Sequence, residues 1–130
     1  MKLGPVDHIT LNTTDIEAAT EYYKKLGMEV EGSLDDGDIV FLTNGNPDHP
    51  LQIQLDTVHE GMEPGLNHIA FFMEDVEGAA DEVREQGIDS RHDPFLQPRS
   101  GRTIFTFGAP DGVSLQFARK DQRGEYEDFG

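Results

Sequence analysis

Two stretches decide how this chain folds: "DHITLN", Asp7 to Asn12, and "NHIAFF", Asn67 to Phe72. Each places a histidine in a strand-like run. Set against each other at an offset of sixty positions, they continue to agree: His8 with His68, Ile9 with Ile69, Asp15 with Asp75, Glu17 with Glu77, Ala19 with Ala79 and Gly27 with Gly87. Identities at one fixed offset, falling on residues that start and stop elements, mark an internal duplication of a unit about sixty residues long.

In the first copy, Val6 to Asn12 alternates as a half-buried strand does. A helix follows from about Asp15 to Leu26. Thr14 and Glu17 have capping-box spacing, Asp15 adds negative charge to the first turn, and Gly27 suits the left-handed position after the last turn. Ile16, Ala19, Tyr22, Tyr23 and Leu26 form its apolar stripe. The second copy repeats the plan with a strand from Leu66 to Met73 and a helix from Asp75 to Gln86, whose Val76, Ala79, Ala80 and Val83 face inward before Gly87. Three short apolar runs end each copy: Met28 to Ser33, Ile39 to Thr43 and Leu51 to Leu55, then Ile88 to His92, Thr103 to Phe107 and Val113 to Ala118.

Each copy is therefore β-α-β-β-β. A four-stranded sheet covered by one helix has a second face to bury, so the expected fold is α+β, two tandem βαβββ modules forming a curved eight-stranded sheet around a cleft. A single domain over 1–130 is expected, with module one at about 4–58, module two at about 64–119 and an acidic C-terminal tail at 120–130. The tail end "DQRGEYEDFG" is expected to fray, or to dock on another subunit through Tyr126 and Phe129.

Charge narrows the partners. Twenty-six Asp and Glu oppose ten Lys and Arg, for a formal net charge of -16, which disfavours nucleic acid and anionic membrane. The acids are spread along the chain, with small groups at Asp35-Asp36-Gly37-Asp38 and Glu125 to Asp128. Together with only four Lys, this resembles the surface of a protein from a salt-loving organism, where the Debye length falls to about 3 Å at 1 M salt. No stretch is long and apolar enough to span a membrane and the N-terminus has no secretory h-region, so a soluble cytoplasmic protein is expected. With no cysteine, any metal would rest on His, carboxylates and amides.

Strand alternation then sorts the polar residues. If Ile9 and Leu11 pack on the helix, His8, Thr10 and Asn12 face the cleft; Ile69, Phe71 and Met73 send His68 the same way. Leu51, Ile53 and Leu55 leave Gln52 and Gln54 on the far face, and Val113, Leu115 and Phe117 leave Ser114 and Gln116. Taken singly, a strand histidine is an ordinary polar residue on a sheet. Two equivalent ones, related by duplication, converge on one axis and are suited to a divalent metal.

The opening "DHITLNTTDIEAATEYYKKLGMEV", its echo "NHIAFFMEDVEGAADEVREQGI" and "GAPDGVSLQF" resemble the vicinal-oxygen-chelate superfamily over about residues 4 to 119. That group includes glyoxalase I, extradiol dioxygenases, fosfomycin-resistance enzymes, methylmalonyl-CoA epimerase and metal-free bleomycin-resistance proteins. The resemblance implies a metal held by His8, Gln54, His68 and Gln116, with Gln52 as a fallback for Gln54. It also marks a departure, since the last strand normally carries Glu where this chain has Gln116. An amide oxygen can ligate a metal but brings no charge and cannot act as a base, which argues against glyoxalase I and extradiol chemistry unless an acid such as Asp56 or Glu60 stands in.

Other residues are assigned more simply. His49 lies in a turn-rich segment and His59 in the linker, while His92 is open to either face of its expected strand. Arg99 and Arg102, in "LQPRSGRTIF", are candidate anchors for an anionic or oxygen-rich substrate, with pairing to surface carboxylates as the alternative. Phe72, Phe105 and Phe107 are candidates for an apolar wall. "GAPDG" reads as a structural turn into the last strand. The sequence thus points to a metal-dependent lyase, isomerase or dioxygenase using Zn, Mn, Fe or Ni on a small oxygen-rich substrate, as a homodimer. The alternative is a metal-free small-molecule-binding protein of bleomycin-resistance type.

Overall fold

The computed structural model describes Met1–Phe129. Its elements are β1 (Val6–Thr13), α1 (Ile16–Lys25), β2 (Glu29–Leu34), β3 (Ile39–Thr43), β4 (Gln52–Thr57), β5 (Gly65–Phe72), α2 (Val76–Glu85), β6 (Phe95–Gln97), β7 (Arg102–Gly108) and β8 (Ser114–Lys120). A last 3₁₀ turn covers Glu125–Phe129. The fold is α+β, with the two βαβββ modules contributing to one eight-stranded sheet in the order β2-β3-β4-β1-β5-β8-β7-β6. Within the modules, β1 is parallel to β4 and β5 to β8, and the remaining pairs are antiparallel. Among the described residues no helix is long and apolar enough to cross a membrane.

The chain divides into two compact units. One comprises His8–Asn67 with the chain from Glu125 onward, and the other Met1–Asp7 with His68–Gly124. Each unit holds the larger part of one duplicated copy together with a short stretch from a chain end.

Both helices start on an aspartate. Asp15 Oδ1 accepts from Ala18 N–H at 3.1 Å and Asp75 Oδ1 from Gly78 N–H at 3.0 Å. The first cap is therefore Asp15, one residue after the Thr14 of the expected capping box, because the carboxylate both reaches a free N–H and complements the helix dipole. Gly27 and Gly87 follow the helices with φ of 96° and 76°, the left-handed stop read from the sequence.

The helices differ in how firmly they pack. In α2, Val76, Ala79, Ala80 and Val83 are all buried against Phe105, Phe107 and Phe117, with Phe71, Met73 and Leu115 at the margin. Full burial of such a Val or Phe side chain contributes on the order of 1.5–3 kcal/mol. In α1 no residue is fully buried; Ile16, Ala19 and Tyr23 lean on Met28, Val40, Leu42, Ile53 and Leu55. Tyr22 and Leu26, expected in the stripe, are 58% and 65% exposed. With about 100° of turn per residue, Tyr22 sits a full step round from Tyr23 and leaves the inward arc.

Two further expectations change. The segment Ile88 to His92 is not a strand but has a single bridge, Ser90 to Phe107, and β6 forms later at Phe95–Gln97. The His92 ring explains this: its Nε2 accepts the Thr106 N–H at 3.2 Å, taking a ladder bond that a strand carbonyl would otherwise receive. Up to Glu127 the tail is folded, and Tyr126 is covered within its own unit. Tyr126 is 1% exposed and stacks on Phe41 at 3.9 Å, joining Leu34 and Ile39 in a small cluster of its own unit. The side chain of Phe129, the other expected docking residue, lies outside the described residues, as does Gly130.

Two ionic contacts hold the second unit. Arg102 Nε donates to Asp7 Oδ2 at 2.7 Å, with the side chains only 7% and 17% exposed. At the end of β8, Arg119 donates to Asp121 Oδ1 at 2.8 Å and to Glu77 Oε2 at 3.0 Å, while the Thr103 hydroxyl also donates to Asp121. The Arg119 hydrogen bonds, aided by Thr103, lower the Asp121 carboxyl from an ordinary 3.8 to about 2, and Arg119 likewise lowers Glu77.

Replacing Asp7 by Ala leaves a buried guanidinium unpaired and should cost about 3–5 kcal/mol in urea unfolding, far more than an exposed Asp→Ala change. Because the Asp121 pKa is lower in the native state, its stabilisation is present above the ordinary value and is lost as pH falls from about 4 through 2. Asp121→Asn should therefore flatten the drop in urea midpoint over that acid window while leaving its upper limit reduced.

Candidate functional site

The site is built from the pleat of β4. Ile53 and Leu55 enter the α1 core, so Gln52, Gln54 and Asp56 stand on the opposite face. Phe41 and Thr43 of β3 are register partners of Gln54 and Gln52 on that face. On the other side, β1 brings His8 beside Gln52, Thr10 beside Gln54 and Asn12 beside Asp56. His8 and Thr10 are buried, 4% and 1% exposed.

Hydrogen bonding fixes the direction of each amide. Gln54 Nε2 donates to Asp56 Oδ1 at 2.8 Å. A carboxylate only accepts, so the nitrogen end belongs to Asp56 and the oxygen is the end available to a ligand. Gln52 is held the same way: its Nε2 donates to Glu31 Oε1 at 3.1 Å and to the Tyr126 hydroxyl at 3.0 Å. Its Oε1 is buried with no hydrogen-bond partner.

The second unit repeats the arrangement on β5 and β8. Phe71, Leu115 and Phe117 pack with α2, which turns His68, Ala70 and Gln116 to the other face. Gln116 is 6% exposed and its Nε2 lies 3.2 Å from the Thr106 hydroxyl, its register partner on β7. His68 is half-buried. Each unit thus places one of the expected histidines and one of the expected glutamines on the sheet face turned from its own helix.

Both glutamines have their nitrogen ends tied to neighbours, which suits them to ligation through oxygen. Among the described residues no three His, Asp or Glu side chains gather into a metal-holding group. Asp56 is the acid that the sequence offered as a stand-in. Its hydrogen bond puts it directly behind Gln54, whereas Glu60 is exposed in the turn after β4. What sequence reasoning missed is the bonding of Gln52, its fallback for Gln54, to Glu31 and Tyr126. The spacing of Gln52 from Gln54 was visible, but the bridge from residue 126 was not.

The remaining candidates separate. Arg102 is buried and ion-paired with Asp7, so it serves the framework instead of offering a free cation at a rim. Arg99 is exposed in the turn before β7. Phe72 lines an open groove with Lys2, Pro5, Glu74 and Glu82. Phe105 and Phe107 belong to the α2 core. His92 is structural, bonded through both ring nitrogens to Thr106 N–H and Asp93 O, and His49 and His59 are exposed. Pro110–Gly112 forms the turn into β8, with Asp111 at φ 63°.

The fold is shared with solved structures. Over 90% of this chain and 94% of the other, it is similar to a Streptomyces coelicolor methylmalonyl-CoA epimerase variant in complex with 2-nitronate-propionyl-CoA, at 24% identity and TM-score 0.72. Methylmalonyl-CoA epimerase from Mycobacterium tuberculosis gives 21% identity and TM-score 0.71 over 89% and 87% of the two chains. The Mn(II)-bound glyoxalase from Novosphingobium aromaticivorans matches 96% of this chain with 40% of its own, at 22% identity and TM-score 0.73. At these identities the likeness speaks for the fold. The family model covers residues 6–117, nearly the whole span from β1 to β8, and with it the chain belongs to the Glyoxalase/Bleomycin resistance protein/Dioxygenase superfamily.

Proposed function

We propose that this superfamily member is a metal-dependent isomerase acting on a small oxygen-rich substrate. Its candidate ligands are His8 and Gln54 in one unit and His68 and Gln116 in the other, and Asp56 carries the proton. The observation that supports this reading is the 2.8 Å hydrogen bond from Gln54 to Asp56 on the face of β4 turned from α1. A divalent ion of the Zn, Mn, Fe or Ni kind would supply Lewis-acid polarisation of two neighbouring substrate oxygens.

The protein's part follows from the bonding of each side chain. His8 and His68 would each contribute an imidazole nitrogen. Gln54 and Gln116 offer amide oxygens, their nitrogens engaged with Asp56 and Thr106. By accepting the amide N–H, Asp56 draws electron density toward the Gln54 oxygen and gives a neutral ligand part of the charge that a carboxylate would bring. Asp56 also answers the objection that this chain lacks a base. A proton beside a polarised carbonyl must be taken by a group such as a carboxylate, and an amide cannot take it. Arg99, exposed beside β7, is the substrate-anchoring cation in this reading, in place of the buried Arg102. Methylmalonyl-CoA is the first substrate to test, because a structure of similar fold holds it.

A second reading is a metal-free binding protein, favoured by the absence of a His, Asp and Glu triad among the described residues. The two part on metal content. Protein purified without chelator and incubated with Zn, Mn, Fe or Ni should hold about one ion per chain, and His8→Ala or His68→Ala should weaken that by at least about tenfold. No bound ion under any of these conditions selects the binding protein. For the chemistry, metal-loaded protein in D₂O should exchange the α-proton of methylmalonyl-CoA, followed by NMR, and Asp56→Asn should abolish it. Absence of exchange in the wild type removes the epimerase reading. The acidic surface makes a separate prediction: thermal unfolding should shift upward from dilute to several molar KCl, and equal midpoints would count against a salt-adapted protein.

A further inference from the structure

Gln52 stands two residues before Gln54 on β4 and shares its face, yet the ligand set above leaves it unused. It is 6% exposed. Glu31 fixes its orientation, since the amide cannot be reversed without setting its oxygen against a carboxylate. The oxygen is therefore left bare in the interior, an arrangement that native proteins seldom keep without a reason.

Three features hold it there. Glu31 takes one amide N–H at 3.1 Å, and the Tyr126 hydroxyl takes part of the same nitrogen's bonding at 3.0 Å. Tyr126 itself is fixed by its 3.9 Å stack on Phe41. Gly32 lets the segment approach, because a Cβ at that position would lie 2.1 Å from the Tyr126 carbonyl oxygen. All of these residues belong to one unit. The C-terminal turn thus closes over β2 and β3 and delivers a hydroxyl to a strand seventy-four positions earlier.

Resting on the metal-dependent reading, we propose that Gln52 Oε1 is a further ligand of the divalent ion held through His8 and that Tyr126 is the residue that positions it. Gln52 is the register partner of His8 across β1 and β4, while the partner of Gln54 is Thr10. Gln52, and not Gln54, therefore stands directly across from His8 in the strand pair. Glu31 behind its nitrogen polarises the oxygen as Asp56 does for Gln54. A cation is the ligand that an unpaired, electron-rich amide oxygen lacking any donor of its own calls for.

The test titrates chelator-stripped wild type, Gln52→Met, Gln52→Glu and Tyr126→Phe with Mn(II), reading free ion by electron paramagnetic resonance, with urea unfolding of each stripped protein in parallel. Gln52→Met removes the bare oxygen at similar volume, so the stripped variant should unfold at an equal or higher urea concentration while binding Mn(II) at least about tenfold more weakly. Gln52→Glu sets a second carboxylate against Glu31 and should lower the urea midpoint of the stripped protein, a loss that saturating Mn(II) should reverse. Tyr126→Phe keeps the ring on Phe41 and loses only the hydroxyl, so it should weaken Mn(II) binding several-fold with little change in unfolding; should Gln52→Met fail to fold, this variant decides. Wild-type affinity in folded Gln52→Met or Tyr126→Phe overturns this inference alone. A wild type that takes up no Mn(II) overturns it together with the reading on which it rests.

Discussion

The whole arrangement depends on the two-residue repeat of the extended chain. In β4, Ile53 and Leu55 must reach the α1 core, and that requirement alone sends Gln52, Gln54 and Asp56 to the other face. The same constraint acts on β5 and β8, where the α2 core takes Phe71, Leu115 and Phe117 and so turns His68 and Gln116 away. A slip of one residue in either strand would bury the amides under a helix and expose the aliphatics. The hydrophobic cores therefore fix the chemistry as well as the stability.

The amides raise the question of how a neutral donor set can do the work of a charged one. A carboxylate at the ligand position brings its own negative charge, and a carboxamide does not. In the first unit the charge is moved back by one hydrogen bond: Asp56 stands behind Gln54 at 2.8 Å and Glu31 behind Gln52 at 3.1 Å. Such a partner orients its amide, prevents reversal and enriches the oxygen. The second unit lacks this support, for Gln116 is backed by the Thr106 hydroxyl alone. The duplicated halves are thus alike in backbone and unequal in electrostatics, and Asp56, the acid proposed to move the proton, lies in the first.

Much of this was legible in the sequence for identifiable reasons. Duplication, alternation and glycine stops are local signals, and they located nearly every strand, both helices and the faces carrying His8, His68, Gln54 and Gln116. The errors arose where a side chain overrode local pattern. The apolar run at Ile88 invited a strand, but the His92 ring took the Thr106 N–H from across the sheet. Tyr22 and Leu26 were counted into a stripe that α1 is too lightly covered to bury. Whether Arg102 anchors substrate or pairs with a carboxylate stayed open in the sequence, because its partner, Asp7, is ninety-five residues away. Tyr126 was expected to fray with the tail or to dock on another subunit for the same reason, as nothing in a ten-residue acidic tail announces a ring stacked on Phe41.

The overall acidity bears on the site through distance. A net charge of -16 would raise the local concentration of divalent cations in dilute buffer, and this effect vanishes as salt is added. At about 1 M salt the Debye length is about 3 Å, so acids scattered over the surface no longer act on an ion at the amides. Carboxylates in hydrogen-bond contact with the ligating groups still do, because no mobile ion fits between them. Glu31 and Asp56, at 3.1 and 2.8 Å from the amide nitrogens, meet that condition, and the remaining surface acids do not need to. An acidic chain working in concentrated salt would have reason to place its functional charge in contact with the ligand set, and the Glu31–Gln52 and Asp56–Gln54 pairs have that form.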